Sequence, residues 1–238
     1  AIGGNHFIHT VRRNIDINYI IFNNEIYGLT KGQYSPTSKT GIVTKSSPYG
    51  SIERQFLPGS LALGCEASFY ARTIDTNPKE MTEIFIAAAR HKGTSVVEVL
   101  QNCVIFNDKV HQAITAKETR ADNQLILRHG EPLIFGKDKN KGIVLNEDGD
   151  PITVTLGENG ITEKNILVHN IYLKNPSRAF KLSRMQLPDF PVALGIFRQV
   201  EEPTFDQQMD DQIATVTAQK GKGDLQKFLE SGDVWEVK

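Results

Sequence analysis

Two asparagines, Asn23 and Asn24, end a short apolar run, Tyr19-Ile20-Ile21-Phe22, and a loop punctuated by glycine follows from Glu25 to Thr37. A carboxamide in that place offers a carbonyl oxygen without charge, which suits a hard cation such as Mg2+ that prefers oxygen ligands. In open α/β sheets, ligands sit outside the carboxyl ends of strands. Gly28, Thr30, Gly32, Gln33, Ser35 and Thr37 are the residue types that bring backbone N–H groups and hydroxyls to a phosphate. The same Asn-Asn-then-Gly pattern is ordinary turn chemistry, and the residues alone leave both readings open. The cysteines, Cys65 and Cys103, lie far apart and form no CxxC pair, so they suggest neither a disulfide framework nor a self-contained metal site.

The elements that must position these residues follow from periodicity. Tyr19 to Phe22 reads as a strand buried on both faces, as in parallel sheets. A helix from Gly4 to Arg13 precedes it, with Phe7, Ile8 and Val11 at helical spacing, Arg12 and Arg13 at its end, and His6 and His9 read as helix-face or partner-contact residues. Lys39 to Phe56 is a long polar loop, expected to cover a ligand or meet a partner. Leu57 to Cys65 reads as a short helix and Ser68 to Arg72 as a strand. Asn77, Pro78 and Glu80 mark a helix start, Met81, Ile84, Phe85 and Ala88 its apolar stripe, and Gly93 its close. Thr94 to Leu100 is then a buried strand.

The alternation of strand and helix predicts an α/β parallel sheet with helices on both faces over residues 1–115. Residues 116–238 read as an extension that makes subunit contacts. In it, a hairpin flanks the charged tip Gly136 to Lys141, and Ile152 to Leu156 adds a strand. Asn175 to Arg184 reads as a helix and Val192 to Val200 as another strand. An amphipathic turn around Leu225, Phe228 and Leu229 is expected to clip onto the body or a partner.

With 238 residues, 39% of them hydrophobic, the chain has enough material for one large or two small domains. Its net charge of −1 shows no nucleic-acid footprint or membrane-surface patch. No apolar run approaches spanning length and the first residues lack a signal peptide pattern, so a soluble, cytoplasmic protein is expected.

The run GGNHFIHTVRRNIDINYIIFNNEIYGLTKGQYSPTS resembles the thiamine-diphosphate-binding region of the β subunit of 2-oxoacid:ferredoxin oxidoreductases. In that family a Gly-Asp-Gly element ends one strand and an asparagine ends the next, and both side chains hold the Mg2+ that bridges the cofactor's diphosphate. The asparagine is Asn24. The Gly-Asp-Gly is absent and by spacing lies before Ala1, so the chain reads as truncated at its N-terminus. The resemblance implies Mg2+ bound by Asn24 and by the Ile26 carbonyl, with the missing aspartate as third protein ligand. Gly28 and Leu29 would approach the cofactor, Leu29 also facing the substrate. The pattern Gly-Leu-Thr-Lys-Gly-Gln resembles the 2-oxoglutarate or broad 2-oxoacid branch.

A second segment, Gln101-Asn102-Cys103-Val104-Ile105-Phe106-Asn107, resembles the family at a cysteine that gives a [4Fe–4S] cluster its fourth thiolate. Cys65 has no counterpart and reads as a core thiol. The activity implied is oxidative decarboxylation of a 2-oxo acid, 2-oxoglutarate above all, to acyl-CoA and CO2. Coenzyme A is the acceptor of the acyl group and ferredoxin that of the electrons. No catalytic acid or base is expected in this chain, because the activating glutamate comes from the α subunit; a γ subunit is a further expected partner. The hairpin tip Gly136 to Lys141 is a solvated loop or a docking point for an acidic ferredoxin. Two alternatives stand beside this reading: a non-redox thiamine-diphosphate enzyme of the decarboxylase or acetolactate-synthase kind, and a non-catalytic scaffold subunit.

Overall fold

The computed structural model describes residues 3–235 and 237. Helix α1 (Gly4–Arg12) leads into strand β1 (Asn18–Asn23), and the Phe7 ring meets Tyr19 edge-on at 5.3 Å. A long loop runs to helix α2 (Pro58–Gly64), strand β2 (Phe69–Ile74), helix α3 (Pro78–Arg90) and strand β3 (Ser95–Leu100). At the start of α3 the Asn77 side chain accepts the Glu80 N–H, and Pro78 occupies the first turn, where its missing donor costs nothing.

Strands β1, β3 and β2 lie side by side and parallel, as expected. The sheet does not stop there. After two single turns, α4 (Gln112–Thr115) and α5 (Arg120–Asn123), comes strand β4 (Gln124–Leu127). A small antiparallel sheet of β5 (Ile134–Phe135), β6 (Lys141–Leu145) and β7 (Pro151–Thr155) follows, built on the expected hairpin. Helix α6 (Ser177–Ser183) then leads to strand β8 (Val192–Gln199), which pairs antiparallel with β2 and parallel with β4. The main sheet therefore has the order β1-β3-β2-β8-β4 and is mixed, not wholly parallel. Two of its strands come from the part read as an extension.

Alternation along the strands sorts the core into two layers. Tyr70, Val96, Leu125 and Phe197 face α1, α2 and α6, where they meet Val11, Leu63 and Leu182. Phe69, Ala71, Val97 and Val99 face the other way, onto Ile84 and Ala88 of α3. Helices thus cover both faces.

One strand departs from expectation. Ile20 and Phe22 are 45% and 62% exposed, so β1 is not buried on both faces. Among the described residues it lies at the edge of the sheet; its register puts these residues beside Val97 and Val99, on the layer where α3 packs over β2 and β3. The C-terminus adds to the reading. Helix α7 (Phe205–Lys220) was not expected from the sequence; it opens with a reciprocal cap between Thr204 and Gln207. Helix α8 (Leu225–Leu229) forms where the amphipathic turn was read, and Leu225, Phe228 and Leu229 are exposed, so of the two expected sites, body or partner, it does not use the body. No helix among the described residues is long and apolar enough to cross a membrane.

Candidate cofactor site

Asn23 and Asn24 end β1 with opposite roles. Asn23 is buried, and its Nδ2 donates to Glu98 Oε1 at 2.8 Å. The other oxygen, Glu98 Oε2, accepts the Tyr70 hydroxyl at 2.7 Å and Arg72 Nε at 2.8 Å. Arg72 and Glu98 are direct neighbours in the β2–β3 register, which is why their side chains meet on one face. Burial opposes the charge on Glu98, but Arg72 and the hydrogen bonds from Tyr70, Arg72 and Asn23 outweigh it and hold the carboxyl below the usual range. The sequence reading took β3 as a buried strand, as it is, but missed this network. Its signal was there: one charge sits in each of two otherwise uncharged strands, FYARTI and SVVEVL.

Beyond Asn23 the chain turns sharply. Glu25 has φ 53 and is buried; burial pushes its carboxyl up to about 7, Lys39 pulling the other way and Glu98 adding to the rise. Asn23 Oδ1 accepts the Glu25 N–H at 3.3 Å and Asn24 Oδ1 the Ile26 N–H at 3.2 Å, so both carboxamides cap their own turn. The Ser38 hydroxyl donates to the Glu25 carbonyl, folding the following loop back onto the first. The loop Lys39 to Phe56 is held by its own bonds, Gly41 N–H to Ser51 O at 2.7 Å and Thr40 Oγ1 to Glu53 O at 2.7 Å, with Tyr49 and Ile52 outward.

The glycine loop closes through Tyr27, whose N–H donates to Gln33 O at 2.8 Å. At Gly32, φ is 99 and a Cβ would lie 3.0 Å from the Phe106 ring, so both backbone and space call for glycine. At Gly28 a Cβ would lie 3.7 Å from Cys103 Sγ and 3.9 Å from Phe106. The structure thus brings two distant segments together: the loop after Asn24 and the turn from Cys103 to Asn107. Leu29, at 99% exposure, projects away from the body.

A second side chain ties the segments. Asn107 Nδ2 donates to the Asn24 carbonyl at 3.0 Å and to the Glu25 carbonyl at 3.4 Å, while its N–H closes the turn onto Cys103 O at 2.9 Å. The His111 Nε2 lies 3.0 Å from the Asn23 carbonyl oxygen; burial lowers the pKa of this imidazole. Neither Asn107 nor His111 was singled out from the sequence.

These residues fit a hard cation with a diphosphate. Asn24 Oδ1 keeps a second lone pair. Among the described residues, no hydrogen bond takes up the Ile26 carbonyl oxygen. No group of three or more His, Cys, Asp or Glu among them forms a metal cage. Cys65, at the end of α2, packs against the main core, and burial pushes its thiol pKa up, as suits the core role expected of it.

Comparison with known proteins bears on this geometry. Residues 1–99 match the model of the C-terminal TPP-binding domain of thiamine pyrophosphate enzymes. The chain is 42% identical over 240 residues to the 2-oxoglutarate oxidoreductase subunit KorB of Mycobacterium tuberculosis, covering all of this chain and 63% of that protein. It is 48% identical over 103 residues to the 2-oxoglutarate synthase subunit KorB of Archaeoglobus fulgidus, covering 43% of this chain and 39% of the relative. The chain therefore spans less than two thirds of these relatives. A solved 2-oxoglutarate:ferredoxin oxidoreductase from Magnetococcus marinus, with 2-oxoglutarate, coenzyme A and succinyl-CoA bound, superposes with a TM-score of 0.67 over 98% of this chain and 64% of that one. At 24% identity this likeness speaks for the fold. The α/β thiamine-diphosphate-binding fold read from the sequence is borne out, and the chain is similar to KorB-type β subunits, in line with the resemblance read from its motifs.

Proposed function

We propose that the chain is the β-subunit portion of a 2-oxoacid:ferredoxin oxidoreductase acting on 2-oxoglutarate. The products are CO2 and the acyl-CoA thioester formed with coenzyme A, and the electrons released pass to ferredoxin. The enzyme works with an α subunit, and a γ subunit where one is present, in the cytoplasm. The observation that carries this reading is the contact between the Asn24–Gly32 loop and the Cys103–Asn107 turn, because the chemistry needs a cofactor loop and a redox ligand side by side. The names of the relatives aligned over this chain favour 2-oxoglutarate as substrate.

Thiamine diphosphate, when bound, supplies the electron sink that lets a 2-oxo acid lose CO2. This chain's part is binding and orientation. Asn24 Oδ1 and the Ile26 carbonyl would hold Mg2+ on the diphosphate, Gly28 gives the cofactor close approach to the backbone, and exposed Leu29 would face the substrate. Cys103 would give one thiolate to a [4Fe–4S] cluster, the other three coming from outside this sequence, since such clusters take four. No side chain here is assigned as general acid or base; that role falls to the α subunit.

The test is the thiamine diphosphate, iron and acid-labile sulfide content of the anaerobically purified complex with its α subunit, wild type against Cys103→Ser. About four irons per β chain, lost in the variant, are expected. A wild-type complex that binds thiamine diphosphate without iron would instead support non-redox chemistry on the same fold, and one that binds neither would support a scaffold role.

A further inference from the structure

Asn107 has no counterpart among the ligands proposed above, yet it is the residue through which the two proposed sites touch by hydrogen bond. Its main chain belongs to the cysteine turn, with the N–H donated to Cys103 O at 2.9 Å. Its side chain belongs to the cofactor loop, with one carboxamide NH2 spanning the consecutive carbonyls of Asn24 and Glu25 at 3.0 and 3.4 Å. The turn itself is secured elsewhere. Asn102 Nδ2 donates to Asp108 Oδ1, Asn102 Oδ1 accepts the Lys109 N–H, and Asp75 Oδ2 accepts the Asn102 N–H, each at 2.8 Å. The Asn107 side chain is therefore spare to the local fold and is spent wholly between the loops.

We infer that Asn107 is a positioning residue that fixes the Asn24 carboxamide and the Cys103 thiol relative to one another, so that cofactor binding and cluster environment share one bracket. The inference rests on the function proposed above. A carboxamide at this place supplies two N–H donors to two part-buried acceptors. A carboxylate of the same shape supplies none and faces two carbonyl oxygens with a charge. Loss of the bracket frees the Asn24 turn to drift from the geometry a cation demands, and it changes the hydrogen bonding around the Cys103 turn, one of the factors that tune such clusters.

The experiment compares wild type, Asn107→Asp and Asn107→Ala as the assembled complex with the α subunit. Three readings are taken: thiamine diphosphate affinity by titration calorimetry in Mg2+, iron content, and the spectrum and midpoint potential of the reduced cluster by electron paramagnetic resonance. Both variants should keep the wild-type iron content, weaken thiamine diphosphate binding about tenfold, and shift the cluster signal. Variants that match wild type in affinity and signal overturn the bracket while leaving the proposed function standing. Failure of both variants to assemble also overturns it, because Asn107 would then serve the fold and not the site. A wild-type complex that takes up neither cofactor nor iron sinks the proposed function itself, and the bracket with it.

Discussion

Glu98 accepts the Asn23 carboxamide at 2.8 Å, so the residue immediately before Asn24 is anchored to a charge buried inside the sheet. The partner that makes this charge tolerable is Arg72, whose guanidinium also donates to Ser183 O at 3.1 Å. Replacing Glu98 by Gln leaves that guanidinium buried without a counter-charge. The variant should lose about 3–5 kcal/mol of stability, read as a lower urea midpoint with an unchanged slope. The double change Arg72→Met with Glu98→Leu removes both charges and should recover part of that loss.

The same carboxyl sets a pH dependence. Its pKa is depressed in the folded chain from an ordinary value of 4.5. The stability it contributes is therefore fully present above that value and is lost as pH falls through the lower, folded pKa. Wild type and Glu98→Gln should differ most above the ordinary carboxyl value of 4.5, and the gap should narrow as pH falls below it. Urea midpoints of both proteins across that range check this; a gap that does not narrow below that value would count against the assignment.

The two glycines of the loop make opposite forecasts. Gly32→Ala forces a side chain into a φ of 99 and against the Phe106 ring, and should cost about 1–2 kcal/mol. Gly28→Ala meets only ordinary contacts at 3.7 and 3.9 Å and should change stability by no more than about 0.5 kcal/mol. If Gly28 lies against the cofactor, the same alanine should still weaken thiamine diphosphate binding. Thermal unfolding beside calorimetric titration separates the two effects.

The exposed C-terminal residues give a forecast of no effect. Phe228 and Leu229 face outward on α8, so the pair of changes Phe228→Ser and Leu229→Ser removes no packing. The melting temperature of the isolated chain should be unchanged within error. A fall of several degrees would mean that α8 is packed in solution.

Much of the first half of the fold was legible because its signals were local. The Asn77-Pro78-Glu80 cap, the Met81 to Ala88 stripe and the short apolar strands each sit within one window of residues. The second half depended on partners far away. Strand β4 is four residues without a marked pattern, and the antiparallel pairing of β8 with β2 is set by packing that no short window contains. Helix α7 did carry a signal, the spacing of Thr204 and Gln207, but a polar stretch with few buried contacts hid it. Edge position, too, is a property of the sheet, which is why Ile20 and Phe22 read as buried. Around the candidate site, Asn24 and Gly28 stood out by type and place, and Cys103 only through the family resemblance. Asn107 did not, since a lone asparagine in a turn looks the same whether it caps itself or spans two loops.

The pairing of β8 with β2 has a consequence for how the chain is made. Ile74 leaves the ribosome well before Val192, separated from it by more than a hundred residues. At usual synthesis speeds that is a delay on the order of ten seconds. Through that interval one side of β2 has no strand to pair with, and an open strand edge invites other chains. The nascent protein is therefore most vulnerable to aggregation between the emergence of β2 and the arrival of β8, the interval in which a chaperone has most to protect.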